Sequence, residues 1–62
     1  MPREWLWKLR KEAKLKQADV AAQAGISIPT YSAYESGNRT PTPKSAKRLA
    51  KVLGFEWTRF YE

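Results

Sequence analysis

A chain with no histidine and no cysteine has few routes to covalent chemistry. The usual zinc sites, thiol nucleophiles and histidine proton shuttles are excluded. The carboxylates Glu12, Asp19 and Glu35 share no face that would pair them for acid–base work. Gly25, Gly37 and Gly54 are spaced as helix ends, not as a phosphate-cradling loop. An enzyme is therefore not expected, nor a metal or organic cofactor. Recognition is what remains. Twelve Lys and Arg against six Asp and Glu give a net charge of +6. That balance suits a polyanion, either nucleic acid or an anionic membrane surface.

The elements that must present this charge can be read along the chain. With 62 residues the sequence is expected to form one domain over 1–62. Its apolar stretches, such as Trp5-Leu6-Trp7 and Val20-Ala21-Ala22, are far shorter than the roughly 20 residues a membrane span needs. A soluble, cytoplasmic protein with no membrane contact is the expectation. Asn38-Arg39-Thr40 has the pattern of a glycosylation acceptor, which carries no meaning without secretion.

Trp5, Leu9 and Ala13 fall four apart and predict a first helix over about 3–14 with those residues inward. Lys8, Lys11, Glu12 and Lys14 take its solvent side, and Trp7 lies off the buried stripe. Val20, Ala21 and Ala24 predict a second helix over about 17–24, stopped by Gly25. Ser27 is a good N-cap for a third helix over about 28–35, with Pro29 tolerated in its first turn. Tyr31 and Tyr34 are three apart and face inward together. Thr42-Pro43 opens a fourth helix over about 43–53, which ends at Gly54. Its basic residues Lys47, Arg48 and Lys51 read as an ordinary solvated face. A short helix or turn over about 57–61 closes the chain. The sum is an all-α domain of five short helices.

The stretch from Gln17 to Glu35 is the informative one. A short helix, a glycine break and a capped second helix make the outline of a helix-turn-helix. The major groove of DNA, about 12 Å wide, admits one α-helix. A helix N-terminus offers unpaired N–H groups to a phosphate. The chain also resembles the phage-repressor and Cro-like helix-turn-helix regulators, the XRE family. The likeness is carried by Leu9-Arg10, Lys16-Gln17-Ala18-Asp19-Val20-Ala21, Ala24-Gly25-Ile26-Ser27, Tyr34-Glu35-Ser36-Gly37, Thr40-Pro41 and Leu49-Ala50-Lys51-Val52-Leu53-Gly54. It implies a compact, five-helix, lambda-repressor-like domain with the helix-turn-helix at helices two and three.

The resemblance also implies roles for particular residues. Gln17 stands where an amide contacts a DNA phosphate. The recognition helix would follow Ser27, itself a candidate DNA contact, and turn Ile28, Pro29, Ser32 and Ala33 outward, with Thr30 at the backbone or flanking bases. Ser36, Asn38 and Arg39 match a loop along the phosphates, and Lys44 extends that strip. Arg10 and Glu35 match a structural salt bridge. Ile28, Pro29 and Ala33 depart from the polar residues usual at reading positions. They cannot form bidentate hydrogen bonds with bases but can pack on thymine methyls. Readout would then rest on Ser32, Thr30 and, were it not in the core, Tyr31, with DNA shape supplying the rest. The C-terminal aromatics are expected to form a mini-core, yet eight aromatic residues are many for so small a domain. Trp57, Phe60 and Tyr61 are accordingly candidates for a dimer or partner surface. The reading is a dimeric, sequence-specific regulator of double-stranded DNA, a repressor or Cro-like switch of a phage or mobile element. A DNA-binding antitoxin, whose main partner is a toxin protein held on apolar surface, stays open beside it.

Overall fold

Local capping chemistry accounts for where each helix begins. The Ser27 hydroxyl accepts from the Thr30 N–H at 3.2 Å, and the Thr42 hydroxyl accepts from the Ser45 N–H at 3.4 Å. Each cap is followed by a proline in the first helical turn, where a missing donor costs nothing. The Asp19 carboxylate accepts from the backbone N–H of Lys16 at 2.9 Å and so closes the start of the second helix. The computed structural model describes residues 1–62. It contains α1 (Glu4–Glu12), α2 (Gln17–Ala24), α3 (Ile28–Ser36), α4 (Pro43–Leu53) and a terminal 3₁₀ turn (Trp57–Tyr61).

Four α-helices and a 3₁₀ turn replace the five helices expected. Five residues are too few to repay the nucleation of an α-helix, and the Arg59 N–H closes a tighter bond to Glu56 at 3.0 Å. α1 is also shorter than expected. It ends at Glu12 because Lys14 turns into the left-handed region, with φ 59°. Ala13 therefore caps the helix and lies exposed, outside the stripe assigned to it. Leu6 is the fully buried residue of α1, while Trp5 and Leu9 are half-buried.

The core collects Leu6, Val20, Ala21, Ala24, Tyr31, Tyr34, Ala46, Leu49 and Phe60. The small side chains of Ala21, Ala24 and Ala46 belong to α2 and α4, two helices packed directly on each other. α3 packs against α2 and α1, and the terminal turn packs against α4. The aromatic residues meet edge to face. Trp5 lies 5.1 Å from Phe55 and 5.2 Å from Phe60 between ring centroids, and Phe60 lies 6.5 Å from Tyr34.

One glycine is required by its surroundings as well as its angles. Gly37 ends α3 at φ +84°, and a side chain there would run into the backbone of Met1. The N-terminus thus lies across the end of α3.

Candidate nucleic-acid interface

α3 has two faces with different jobs. Tyr31, Tyr34 and Glu35 are buried. Ile28, 48% exposed, and Pro29 stand out from its first turn, and Ser32 and Ala33 are half-buried one turn later. These four are the outward positions expected from the sequence. Thr30 is less free than expected. It is half-buried, and its hydroxyl oxygen takes the Ser27 O–H at 2.7 Å.

A polar hub fixes the orientation of α3. The Arg10 Nε donates to Glu35 Oε2 at 2.6 Å, and Nη2 donates to Oε1 at 3.2 Å. The pair is bidentate and nearly enclosed, with side-chain exposures of 11% and 7%. Arg10 Nη1 also donates to the Leu15 carbonyl at 3.0 Å, just before α2. Gln17 adds its amide N–H to Glu35 Oε1 at 3.2 Å. Three helices therefore converge on one carboxylate. Burial alone would push the Glu35 carboxyl up. The bonds from Arg10, with the Tyr31 hydroxyl and Gln17 beside it, outweigh that and hold it below the usual carboxylate range. The Arg10 guanidinium is raised in turn, chiefly by its bond to Glu35. Burial raises Tyr31, whose hydroxyl lies beside the pair without a well-formed hydrogen bond. Gln17, expected at a phosphate, thus spends one amide hydrogen on Glu35 and keeps a second to donate.

The loop after α3 is braced from both sides. The Ser36 hydroxyl donates to the Ala33 carbonyl at 3.1 Å and accepts from the Asn38 N–H at 3.4 Å. Asn38, Arg39 and Lys44 are exposed. Arg3, which the sequence did not single out, clamps this loop to the body. Its backbone N–H donates to the Glu35 carbonyl at 2.8 Å. Its Nη1 reaches the carbonyls of Tyr34 at 2.6 Å and Arg39 at 2.8 Å, and Nη2 reaches the Thr40 hydroxyl at 2.9 Å. A guanidinium at these carbonyls also complements the negative end of α3. No side chain marks most of these acceptors in the sequence, because two of the three side-chain bonds end on backbone.

The C-terminal surface needs one correction. Phe60 is 6% exposed, wedged between Trp5, Phe55 and Tyr34 with the Arg3 guanidinium 5.3 Å from its ring. It belongs to the core and is not available to a partner. Tyr61 is 47% exposed, although its hydroxyl is tied to the Pro41 carbonyl at 2.7 Å. Trp57 is half-buried, with Lys47 4.9 Å from its ring centroid.

A short helix ended by left-handed Gly25, then a second, capped helix with a partly free face, is the arrangement of a helix-turn-helix DNA-binding domain. Residues 8–60 match the helix-turn-helix family. Over its full length the chain is 40% identical to the uncharacterised HTH-type transcriptional regulator YqaF of Bacillus subtilis, covering 82% of that protein. It is 42% identical over 50 residues to a second such regulator of the same organism, YqaE, covering 43% of it. Over 46 residues it is 41% identical to the cryptic phage CTXphi transcriptional repressor RstR of Vibrio cholerae, covering 41% of it. The chain thus spans most of YqaF but less than half of YqaE and RstR. No solved structure matches it significantly. The chain belongs to the XRE/Cro-type helix-turn-helix family: it is a sequence-specific, DNA-binding transcriptional regulator and not an enzyme. No helix is long and apolar enough to cross a membrane.

Proposed function

We propose that the protein is a dimeric repressor of phage or mobile-element type, acting in the cytoplasm on a palindromic operator. Each protomer, a single domain, lays α3 in the major groove of one half-site. The observation that carries this reading is the outward face of α3. Ile28 and Pro29 are exposed at its N-terminal end, and Ser32 and Ala33 follow, while the opposite face is locked into the core. The apolar groups pack on thymine methyls, and the Ser32 hydroxyl supplies a polar base contact. Gln17, Ser36, Asn38, Arg39 and Lys44 hold phosphates on either side and fix the register. The likeness to a phage repressor supports repression as the outcome. Half-exposed Tyr61 and its neighbour Trp57 supply apolar surface for a second copy.

Selection from a random duplex library, followed by affinity measurements over a range of salt, tests this. The expected winner is a palindrome with half-site centres about 34 Å apart. Log affinity should fall with log salt by about 0.9 per phosphate neutralised. A winner with a single half-site and one bound protomer would remove the dimer. Recovery of no motif, with a flat salt response, would remove the operator reading.

A further inference from the structure

Trp7 is an expensive residue to leave in water. It is 47% exposed on a helix whose buried residue, Leu6, is its neighbour in sequence. The core does not need its ring. The ring lines a groove of about 260 Å³ whose other walls include Gln17, Ser32, Glu35 and Ser36. Gln17, Ser32 and Ser36 are residues assigned above to the DNA side of the molecule. Lys11, one helical turn further along α1, holds its ammonium 5.8 Å from the same ring.

We propose that Trp7 and Lys11 form a second strip of the DNA interface, gripping the sugar–phosphate backbone beside the phosphate held by Gln17. This rests on the reading that α3 enters the major groove. The chemistry fits that occupant. An indole N–H donates and cannot accept, which matches a phosphate oxygen that accepts and cannot donate. The flat ring face suits the apolar side of a deoxyribose, and the lysine adds charge next to it.

The charges around the groove set where the backbone runs. Glu35 is neutralised by Arg10 and takes a further hydrogen bond from Gln17, and Arg3 is engaged with carbonyls and a hydroxyl. Glu4 is the free carboxylate in the lining, one turn before Trp7. A phosphate therefore sits toward the Lys11 end of the strip, away from Glu4. Contacts of this kind carry affinity and position but no base preference.

Methylphosphonate scanning of the selected operator duplex tests the strip. Single neutral linkages are placed at each phosphate flanking a half-site, and wild type is compared with Trp7→Ala. On the unmodified duplex Trp7→Ala should bind about ten- to a hundredfold more weakly, as for loss of one charge-assisted hydrogen bond. At one or two linkages, neutralisation should weaken wild type but leave Trp7→Ala almost unchanged. Trp7→Lys should restore binding and steepen the salt slope by about 0.9. Circular dichroism melting checks that both variants fold, and Trp7→Lys keeps the test alive if Trp7→Ala does not. A wild-type affinity in Trp7→Ala, or an equal loss at every linkage with no rescue by lysine, would overturn the proposal. Failure of the operator reading is distinct: wild type itself would then show no preference for the selected duplex.

Discussion

Two regions of this domain are held together by opposite kinds of interaction. At the meeting of α1, α2 and α3, a carboxylate gathers hydrogen bonds from Arg10 and Gln17, and Arg3 reaches backbone carbonyls at the end of α3. Beside it, α1 and the C-terminal segment are held by Trp5, Phe55 and Phe60 meeting edge to face. Directional bonds fix an angle, whereas apolar contacts reward any close packing of the right volume. The directional bonds lie beside the face proposed to meet DNA. Groove recognition needs α3 at a set orientation, while the aromatic region needs only to be cohesive.

The largest expected effect lies in the aromatic region. Phe60→Ala removes a ring that three other aromatics and a guanidinium surround. It should cost about 4 kcal/mol in a urea titration, enough to leave so small a domain largely unfolded at room temperature. A loss under about 1 kcal/mol would mean that the 3₁₀ turn contributes little to the fold.

The hub should come next. Glu35→Ala strands a nearly enclosed guanidinium and should cost about 3 kcal/mol. Replacing both partners, as Arg10→Met with Glu35→Leu, should recover most of that stability, because neither charge is then left without its mate. The same double variant should bind DNA poorly, since α3 loses its directional tether. Full DNA affinity in the double variant would show that packing alone orients α3.

Acid should separate the regions further. Glu35 is held below its usual pKa, so the folded state binds fewer protons than the unfolded state near pH 4. Its contribution is therefore complete above the unfolded carboxylate value of about 4.3 and is lost as pH falls through the lower folded value. Melting temperatures from pH 7 down to pH 2 should fall for wild type. They should fall much less for the double variant. An equal fall in both would place the acid sensitivity elsewhere.

The contrast also explains what the sequence made legible. The starts of α3 and α4 were readable because caps and prolines act locally, at Ser27-Pro29 and Thr42-Pro43. So were the inward Tyr31 and Tyr34. The Asp19 bond that closes the start of α2 carried no signal of its own. On α1 the inward Trp5 was legible, but Leu6 was left off the buried stripe and Ala13 wrongly put on it, because Trp5, Leu6 and Trp7 are all apolar and the run fits more than one side of a helix. Phe60 and Tyr61 posed the same problem: two adjacent aromatics do not say which is buried. The outward face of α3 had no periodic signal, since Ile28, Pro29 and Ala33 are as apolar as its core side. The family likeness, not amphipathicity, set its direction. Arg3 was invisible for a different reason. Its partners lie 31 to 37 residues away, and most of them are main-chain groups.

The smallest effect is the most specific test of how the polar region serves the interface. Arg3 reaches the Arg39 carbonyl and the Thr40 hydroxyl, so it holds the loop from which the Arg39 side chain extends. Arg3→Ala should weaken operator binding by about tenfold, through a loop that must now be ordered on binding. Arg3→Lys should not restore it, because an ammonium lacks the planar fork that spans these acceptors. Arg39→Ala should weaken binding to all duplexes alike and reduce the salt slope by about 0.9. The two losses should not add. With the Arg39 side chain gone, holding its loop in place gains little, so Arg3→Ala should cost only about twofold in that background. Fully additive losses would mean that Arg3 acts through the general stability of α1 and α3, and the polar region would then be structural in the same sense as the aromatic one.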